Sequence, residues 1–324
     1  MDTLRVGTRG SQLALYQANA TRSLLREHAG VECEIVVIRT SGDRLADASL
    51  SAIGGKRLFV KEIEDALLEG ALDLAVHSSK DMPAVLPGGL AIGAVLPRED
   101  PRDVIVMPGP GPEPFPTIEA AVAQLGQSPR IGTSSVRRTA QLLRLLPAGR
   151  FMPVRGNLDT RLRKVDSGEF DAIVLAAAGL RRLERADRIS AYLPSTACVP
   201  APGQGIIAIE IREGDLRTRA LVAPIDDRDA AAALTAERAV VRRLGGGCQM
   251  PIGAYAKVSG GDLTITGVVV SLDGSRAVKA DAAGSVTDAA ALGAMVAERL
   301  LVQGAAEILD TVQRTQGAVE GIQP

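Results

Sequence analysis

Aromatic side chains are nearly missing from this sequence, at 2% of 324 residues with no tryptophan. Such a chain lacks the stacking platforms on which single-stranded nucleic acids lie. Its core must be built from Ala, Leu, Ile and Val. Cysteine is equally scarce. Cys33, Cys198 and Cys248 are far apart and odd in number, which argues against a disulfide framework or a CxxC metal site. Long apolar runs are absent too. The longest uncharged stretch includes residues 192–209, whose three prolines and two glycines disqualify it as a membrane span. The opening MDTLRVGTRG has no apolar signal core. A cytoplasmic chain that avoids membranes is the expectation. Bulk charge is lacking as well. The net value is −1, so nothing draws the whole molecule to nucleic acid or anionic lipid. With 46% hydrophobic and 23% charged residues, a disordered chain is excluded.

What is present is arginine. The chain has 31 Arg and 6 Lys, and residues 130–188 alone carry twelve Arg and one Lys against six acids. A high-GC coding bias accounts for the overall ratio as readily as function does, but not for the clustering. The planar guanidinium fork suits carboxylate or phosphate better than an ammonium does.

The pattern along the chain is strand, helix, strand. Strands are predicted at Leu4–Thr8 and at residues 34–38, 72–76, 90–95 and 104–107, and helices near 13–25 and 58–68. Residues 41–55 read as a long loop, and 108–116 as a Pro/Gly-rich surface connection. Strands at Arg130–Gly132, 151–154 and 171–175 each lead into a helix, so a mostly parallel sheet is expected. A strand at 206–211, a helix at 230–244, three antiparallel strands between 252 and 280, and a helix at 289–301 complete the reading. Two α/β blocks thus precede a smaller α+β block.

Ligands of open α/β sheets gather at the carboxyl ends of strands, where four polar clusters fall. They are Thr8-Arg9-Gly10-Ser11, His77-Ser78-Ser79-Lys80-Asp81, the run from Gly132 to Arg138, and Arg155-Gly156-Asn157 with Arg161 beyond. In the third, a Thr/Ser run caps a helix whose first turn holds Arg137 and Arg138. The helix dipole disfavours cations there unless an anion joins them. The alternative is that both point to solvent. Asp81 beside Lys80 fits a proton-handling or cation-holding carboxylate, although an exposed surface pair is the commoner meaning of such neighbours. His77 reads as a base or, more simply, as a satisfied structural residue. Gly245-Gly246-Gly247 before Cys248 suggests a loop that leaves the thiol steric freedom. That fits a nucleophile or an attachment point, and an inert buried thiol stands against it.

Taken together, GTRGSQLAL, GGKRLFVKEIE, AVHSSKDMP, EDPRDV, GTSSVRRTAQL, RGNLDTRL, DAIVLAAAGLRRL, PAPGQGIIAIE and TAERAVVRRLGGGCQMPIGAY resemble the porphobilinogen deaminase (hydroxymethylbilane synthase) family, in order from residue 7 to 255. The resemblance implies an α/β fold of two periplasmic-binding-protein-like lobes with mixed sheets plus a smaller α+β C-terminal domain. Its boundaries would be 1–99 with 200–219, 100–199, and 220–324. It implies a transferase of haem biosynthesis. Four porphobilinogen molecules would join head to tail, with loss of ammonia, on a dipyrromethane cofactor held by a thioether to Cys248. By that resemblance Asp81 is the catalytic carboxylate. Ser78, Lys80, Ser134, Ser135, Arg137, Arg138 and Gly205 look like cofactor ligands. Arg9, Ser11, Gln17, Arg155, Arg161, Arg182 and Gln204 look like ligands of incoming substrate or growing chain. A monomer without metal or nucleic-acid partner is implied.

One position departs from the family pattern: Arg57 stands in GGKRLF where the family reads GGKGLF. Two other readings remain at this stage. A two-lobed anion-binding protein shares the architecture but gives no reason for the Gly-Gly-Gly-Cys loop. A pyridoxal-phosphate enzyme using Lys80 lacks a visible phosphate cup.

Overall fold

A computed structural model describes residues 3–41, 60–111, 113–247 and 249–320, with side chains as far as 315. Cys248 and Arg57, and the expected loop beyond Ser41, lie outside the described residues.

The first lobe is built on β1 (Leu4–Thr8), β2 (Cys33–Val37), β3 (Leu74–Ser78), β4 (Leu90–Val95) and β10 (Ile207–Arg212), in the order β2-β1-β3-β10-β4. The second is built on β5 (Asp103–Val106), β6 (Arg130–Gly132), β7 (Arg150–Met152), β8 (Ala172–Ala176) and β9 (Ala191–Tyr192), in the order β7-β6-β8-β5-β9. The two orders follow one plan. Three parallel strands lie side by side, with β1 between β2 and β3 and β6 between β7 and β8. A fourth strand, antiparallel to both neighbours, arrives from the other half of the chain: β10 in the first lobe and β5 in the second. The sheets are therefore mixed, with four strands of each running one way and one reversed. Strand–helix alternation cannot reveal a reversal whose cause is a crossover between lobes.

Local rules explain the main elements. Helix α1 (Gln12–Ala29) starts where the Ser11 side chain accepts from the Ala14 N–H and stops at Gly30, in the left-handed conformation. Its buried residues Gln17, Ala18, Thr21 and Leu25 form one face. Ala18 and Leu25 meet Leu4, Val6, Leu74, Val76, Ile209 and Ile211. In the second lobe β5 is buried on both faces. Val104 and Val106 join Ile173 and Leu175 in one cluster, while Ile105 joins Ile131, Ala172 and Val174 in the other. Helices on both sides of a sheet produce such unbroken apolar runs. Around this sheet lie α3 (Ile118–Leu125), α4 (Val136–Leu142), α5 (Leu158–Asp166) and α6 (Ala177–Arg182), while α2 (Lys61–Leu68) and α7 (Leu216–Val222) belong to the first lobe.

The C-terminal unit is an antiparallel meander of β11 (Ile252–Ser259), β12 (Asp262–Val270) and β13 (Ala277–Ser285). Helices α8 (Arg228–Arg243), α9 (Ala289–Val302) and α10 (Ala305–Glu320) supply Val240, Val296, Leu300 and Ile308 to its core. Among the described residues no single helix is long and apolar enough to cross a membrane. The α/β lobes with mixed sheets and the smaller α+β unit agree with the expected fold class. Three helices (α3, α7, α10) and strand β9 were not anticipated, and β3 ends at Ser78 rather than near 76.

Candidate active site between the lobes

The parallel strands of each lobe deliver the polar clusters at their carboxyl ends. Arg9 and Ser11 follow β1, and Ser78 closes β3 before a short 3-10 turn of Ser79, Lys80 and Asp81. Ser134 to Arg138 follow β6, Arg155 and Arg161 follow β7, and Arg182 ends the helix after β8. Gln204 and Gly205 lie on the crossover that returns to β10.

Side chains connect these ends. The Gln17 amide exchanges hydrogen bonds with the Ser78 hydroxyl, at 2.8 and 3.2 Å. Ser11 is occupied as the cap of α1. Ser134 donates to the Val154 carbonyl (2.8 Å), and Ser135 accepts from the Arg138 N–H as the cap of α4. Arg161 donates to the Gly156 carbonyl (2.9 Å). Arg182, buried, donates to the Gly205 carbonyl (2.7 Å). Arg155 is half-buried. Gly205 has φ +88°, and a Cβ there would sit 2.2 Å from the Glu99 carbonyl oxygen. Only glycine fits where the crossover threads past the strand-end loop.

Arg137 and Arg138 do not point to solvent. Both are buried and converge on Asp103, at 2.7 and 2.8 Å. Lys80 lies in the electrostatic field of this group. Burial pushes its ammonium down to about 8. Asp81 and Asp103 pull it up, while Arg138 and Arg137 push it further down. Arg161 is likewise pushed down to about 10, by burial and then by Arg138, with Asp81 opposing. Two clusters from different lobes thus share one field. In it the cations Lys80, Arg137, Arg138 and Arg161 face the carboxylates Asp81 and Asp103. The excess positive charge is uncomfortable in isolation, and carboxylates from a ligand relieve it. That is the fit expected of a polycarboxylate such as a dipyrromethane.

Other expectations resolve differently. His77 is buried and bonded to Glu210 at 3.0 Å, in the structural role. The glycines before Cys248 are not all there for freedom. Gly245 (φ +66°) ends α8, with the Gly246 N–H bonded back to the Val241 carbonyl, while Gly246 itself lies against Ile252. Gly247 has open space around it without a positive φ.

Asp103 and Glu237 were missed by sequence reasoning. Asp103 lies within the EDPRDV motif, and its signal was the pair of arginines in a first helical turn that need an anion. Glu237, fully buried on α8, accepts from Arg98 (2.5 Å) and from the backbone N–H groups of Gly203 (2.6 Å) and Ala256 (2.7 Å). It ties the crossover and the C-terminal meander together. Nothing in its local pattern distinguishes it from other helix-surface glutamates.

Two family models match. "Porphobilinogen deaminase, dipyromethane cofactor binding domain" covers residues 4–220, and "Porphobilinogen deaminase, C-terminal domain" covers 231–302. The chain belongs to the porphobilinogen deaminase family. It is 49% identical over 313 residues to the porphobilinogen deaminase of Syntrophotalea carbinolica, covering 96% of each chain. It is 46% identical to that of Geobacter metallireducens, over 98% of this chain and 97% of the other. Among solved structures, the Bordetella pertussis BvgS VFT2 domain resembles it at a TM-score of 0.41 and 16% identity, over 69% of this chain and 86% of that one. As a deaminase-family enzyme the chain has a dipyrromethane cofactor-binding region, and the cations just described lie within it.

Proposed function

We propose that the chain joins four porphobilinogen molecules head to tail, releasing ammonia at each addition, to make a linear tetrapyrrole on a dipyrromethane primer. It would do so as a cytoplasmic monomer, without nucleic-acid or membrane partners. The proposed division is 1–99 with 200–219, 100–199, and 220–324. The observation that carries the reading is the shared field of Asp81, Lys80, Arg137, Arg138 and Arg161, in a chain of this family.

When bound through Cys248, the dipyrromethane supplies the terminal pyrrole carbon to which substrate is added. The protein's part is electrostatic. Each substrate ring brings an acetate and a propionate. Lys80, Arg137 and Arg138, with the Ser78, Ser134 and Ser135 hydroxyls and the Gly205 backbone, hold the primer's side groups. Arg9, Ser11, Gln17, Arg155, Arg161, Arg182 and Gln204 receive substrate and the lengthening chain. Asp81 faces the substrate pyrrole. Its carboxylate stabilises the positive charge that builds as the aminomethyl group loses ammonia, because a preorganised anion beside a developing cation lowers the barrier without reorganising water. It then accepts hydrogen bonds from ring N–H groups while the ring proton departs.

Intact mass and product analysis test this. Purified protein should carry the extra mass of two pyrrole rings, localised to Cys248, and should convert porphobilinogen to a linear tetrapyrrole. Cys248→Ser should lose that mass. Asp81→Asn should keep the fold and the attached rings while turnover falls by about a hundredfold or more. Rings found on the serine variant, or near-normal turnover in the asparagine variant, would overturn the assignment of that residue. An unmodified, inactive parent protein would overturn the reaction itself.

A further inference from the structure

We propose that Asp103 is a positioning residue for the anion grip, setting the geometry of Arg137, Arg138 and Gln204 without touching substrate. The proposal rests on the functional reading above, which gives those three residues ligands to hold. Asp103 is the first residue of β5 and is wholly buried. The Arg138 Nε and Nη2 both donate to its Oδ1, at 2.9 and 2.8 Å, while Nη1 donates to the Val174 carbonyl (2.9 Å). Every nitrogen of that guanidinium is therefore anchored inward, and one N–H on each of Nη1 and Nη2 is left for a ligand. Arg137 differs. Its hydrogen bonds to described residues run through Nη1 alone, to Asp103 Oδ2 (2.7 Å), the Val199 carbonyl (2.7 Å) and the Cys198 sulfur (3.6 Å). The Nε–Nη2 edge of Arg137, the edge that forks onto a carboxylate, is left for a ligand.

The same carboxylate orients Gln204. Its Nε2 donates to Asp103 Oδ1 (3.0 Å) and to the Pro101 carbonyl (2.6 Å). Two acceptors on one side fix which way the amide faces. Its Oε1, buried and without a partner among the described residues, stays available as an acceptor for a pyrrole N–H. Without the anion, two adjacent guanidinium groups repel each other in a helical turn whose dipole already opposes them. They would then separate. An asparagine at this position would also turn an N–H2 group toward one of them. The network sits where the outgoing crossover (Pro101, Asp103) meets the returning one (Cys198, Val199, Gln204), so the grip is fastened at the joint of the two lobes.

Asp103→Asn and Asp103→Glu test this. Three quantities decide: the thermal melt, the fraction of purified protein carrying two pyrrole rings by intact mass, and kcat per ring-bearing molecule beside KM for porphobilinogen. Below the melting transition, both variants should show a lower ring-bearing fraction. Each should also show kcat about tenfold or more below the parent with KM changed less than about threefold. Asp103→Glu keeps the charge, so it should melt close to the parent and still show the deficit, because one methylene displaces the carboxylate. It decides the matter if Asp103→Asn does not fold. Parent-like ring content and kcat in Asp103→Glu, or in folded Asp103→Asn, would reduce Asp103 to a counter-ion of the fold and overturn the proposal. The parent protein in the same assays reports on the reaction separately. If it carries rings and makes product while the variants match it, only the role of Asp103 fails.

Discussion

Lys80 shows how burial sets the working range of a single side chain. Its ammonium loses protons near pH 8 rather than 10.5, chiefly because it is desolvated. The sign follows directly. Below about 8 the charge is present and attracts a carboxylate, and above it the attraction fades. Loading of the primer onto cofactor-free protein, timed by intact mass, should slow as pH rises through about 8. Lys80→Arg should remove that bend, since arginine stays charged. For stability the linkage runs the other way. The folded protein binds the Lys80 proton less tightly than the unfolded chain, so this residue's contribution to stability increases with pH from about 8 to 10.5. At this scale the sequence was informative about identity and silent about partners. The arginines stood out as a cluster in the chain, and their placement after β6, β7 and β8 followed from strand–helix rhythm. That Arg137 and Arg138 turn inward depends on Asp103, more than thirty residues earlier in the chain. No local pattern reports such a contact.

Among the elements, the crossover from residue 199 to 206 is packed backbone against backbone at Gly205. Gly205 needs both its positive φ and the missing Cβ, and its carbonyl holds Arg182. Gly205→Ala should therefore strain backbone against backbone, at a cost of about 2 kcal/mol or more, and lower the melting temperature by about 3 °C or more. A thermal melt within 1 °C of the parent would contradict this. Elements with strong periodicity and caps were legible, α1 and the α8 helix above all. Of those missed, α3, α7 and β9 are short and the second half of β13 is made mostly of small residues, whereas α10 is sixteen residues long. Strand β13, AVKADAAGS, has little apolar contrast between its two faces, so its second half was invisible in the pattern. Helices α3 and α7, at eight and seven residues, are held by tertiary contacts rather than by intrinsic preference.

Across the whole molecule, one carboxylate joins parts that the chain order separates. Glu237 on α8 binds Arg98 at the end of the first lobe, the crossover at Gly203 and strand β11 at Ala256. Removing its charge leaves Arg98 desolvated and unmatched. Glu237→Gln should thus cost about 3–5 kcal/mol, and calorimetry should resolve the C-terminal unit melting ahead of the lobes. One transition at the parent temperature would show that the joint does not depend on this ion pair. The division into two α/β blocks and a smaller unit was readable from the rhythm of strands. The reversed strands were not, because they depend on where the chain crosses.

Those reversed strands bear on how the molecule is made. Strand β10 sits between β3 and β4, yet it is synthesised more than a hundred residues after them. On a ribosome, the N-terminal sheet must wait with an open seam between β3 and β4 until residues 207–212 leave the exit tunnel. By then the second lobe has already emerged. Nascent chains halted before residue 207 should be readily cut by protease in the first lobe, and those released beyond the tunnel past residue 212 should resist.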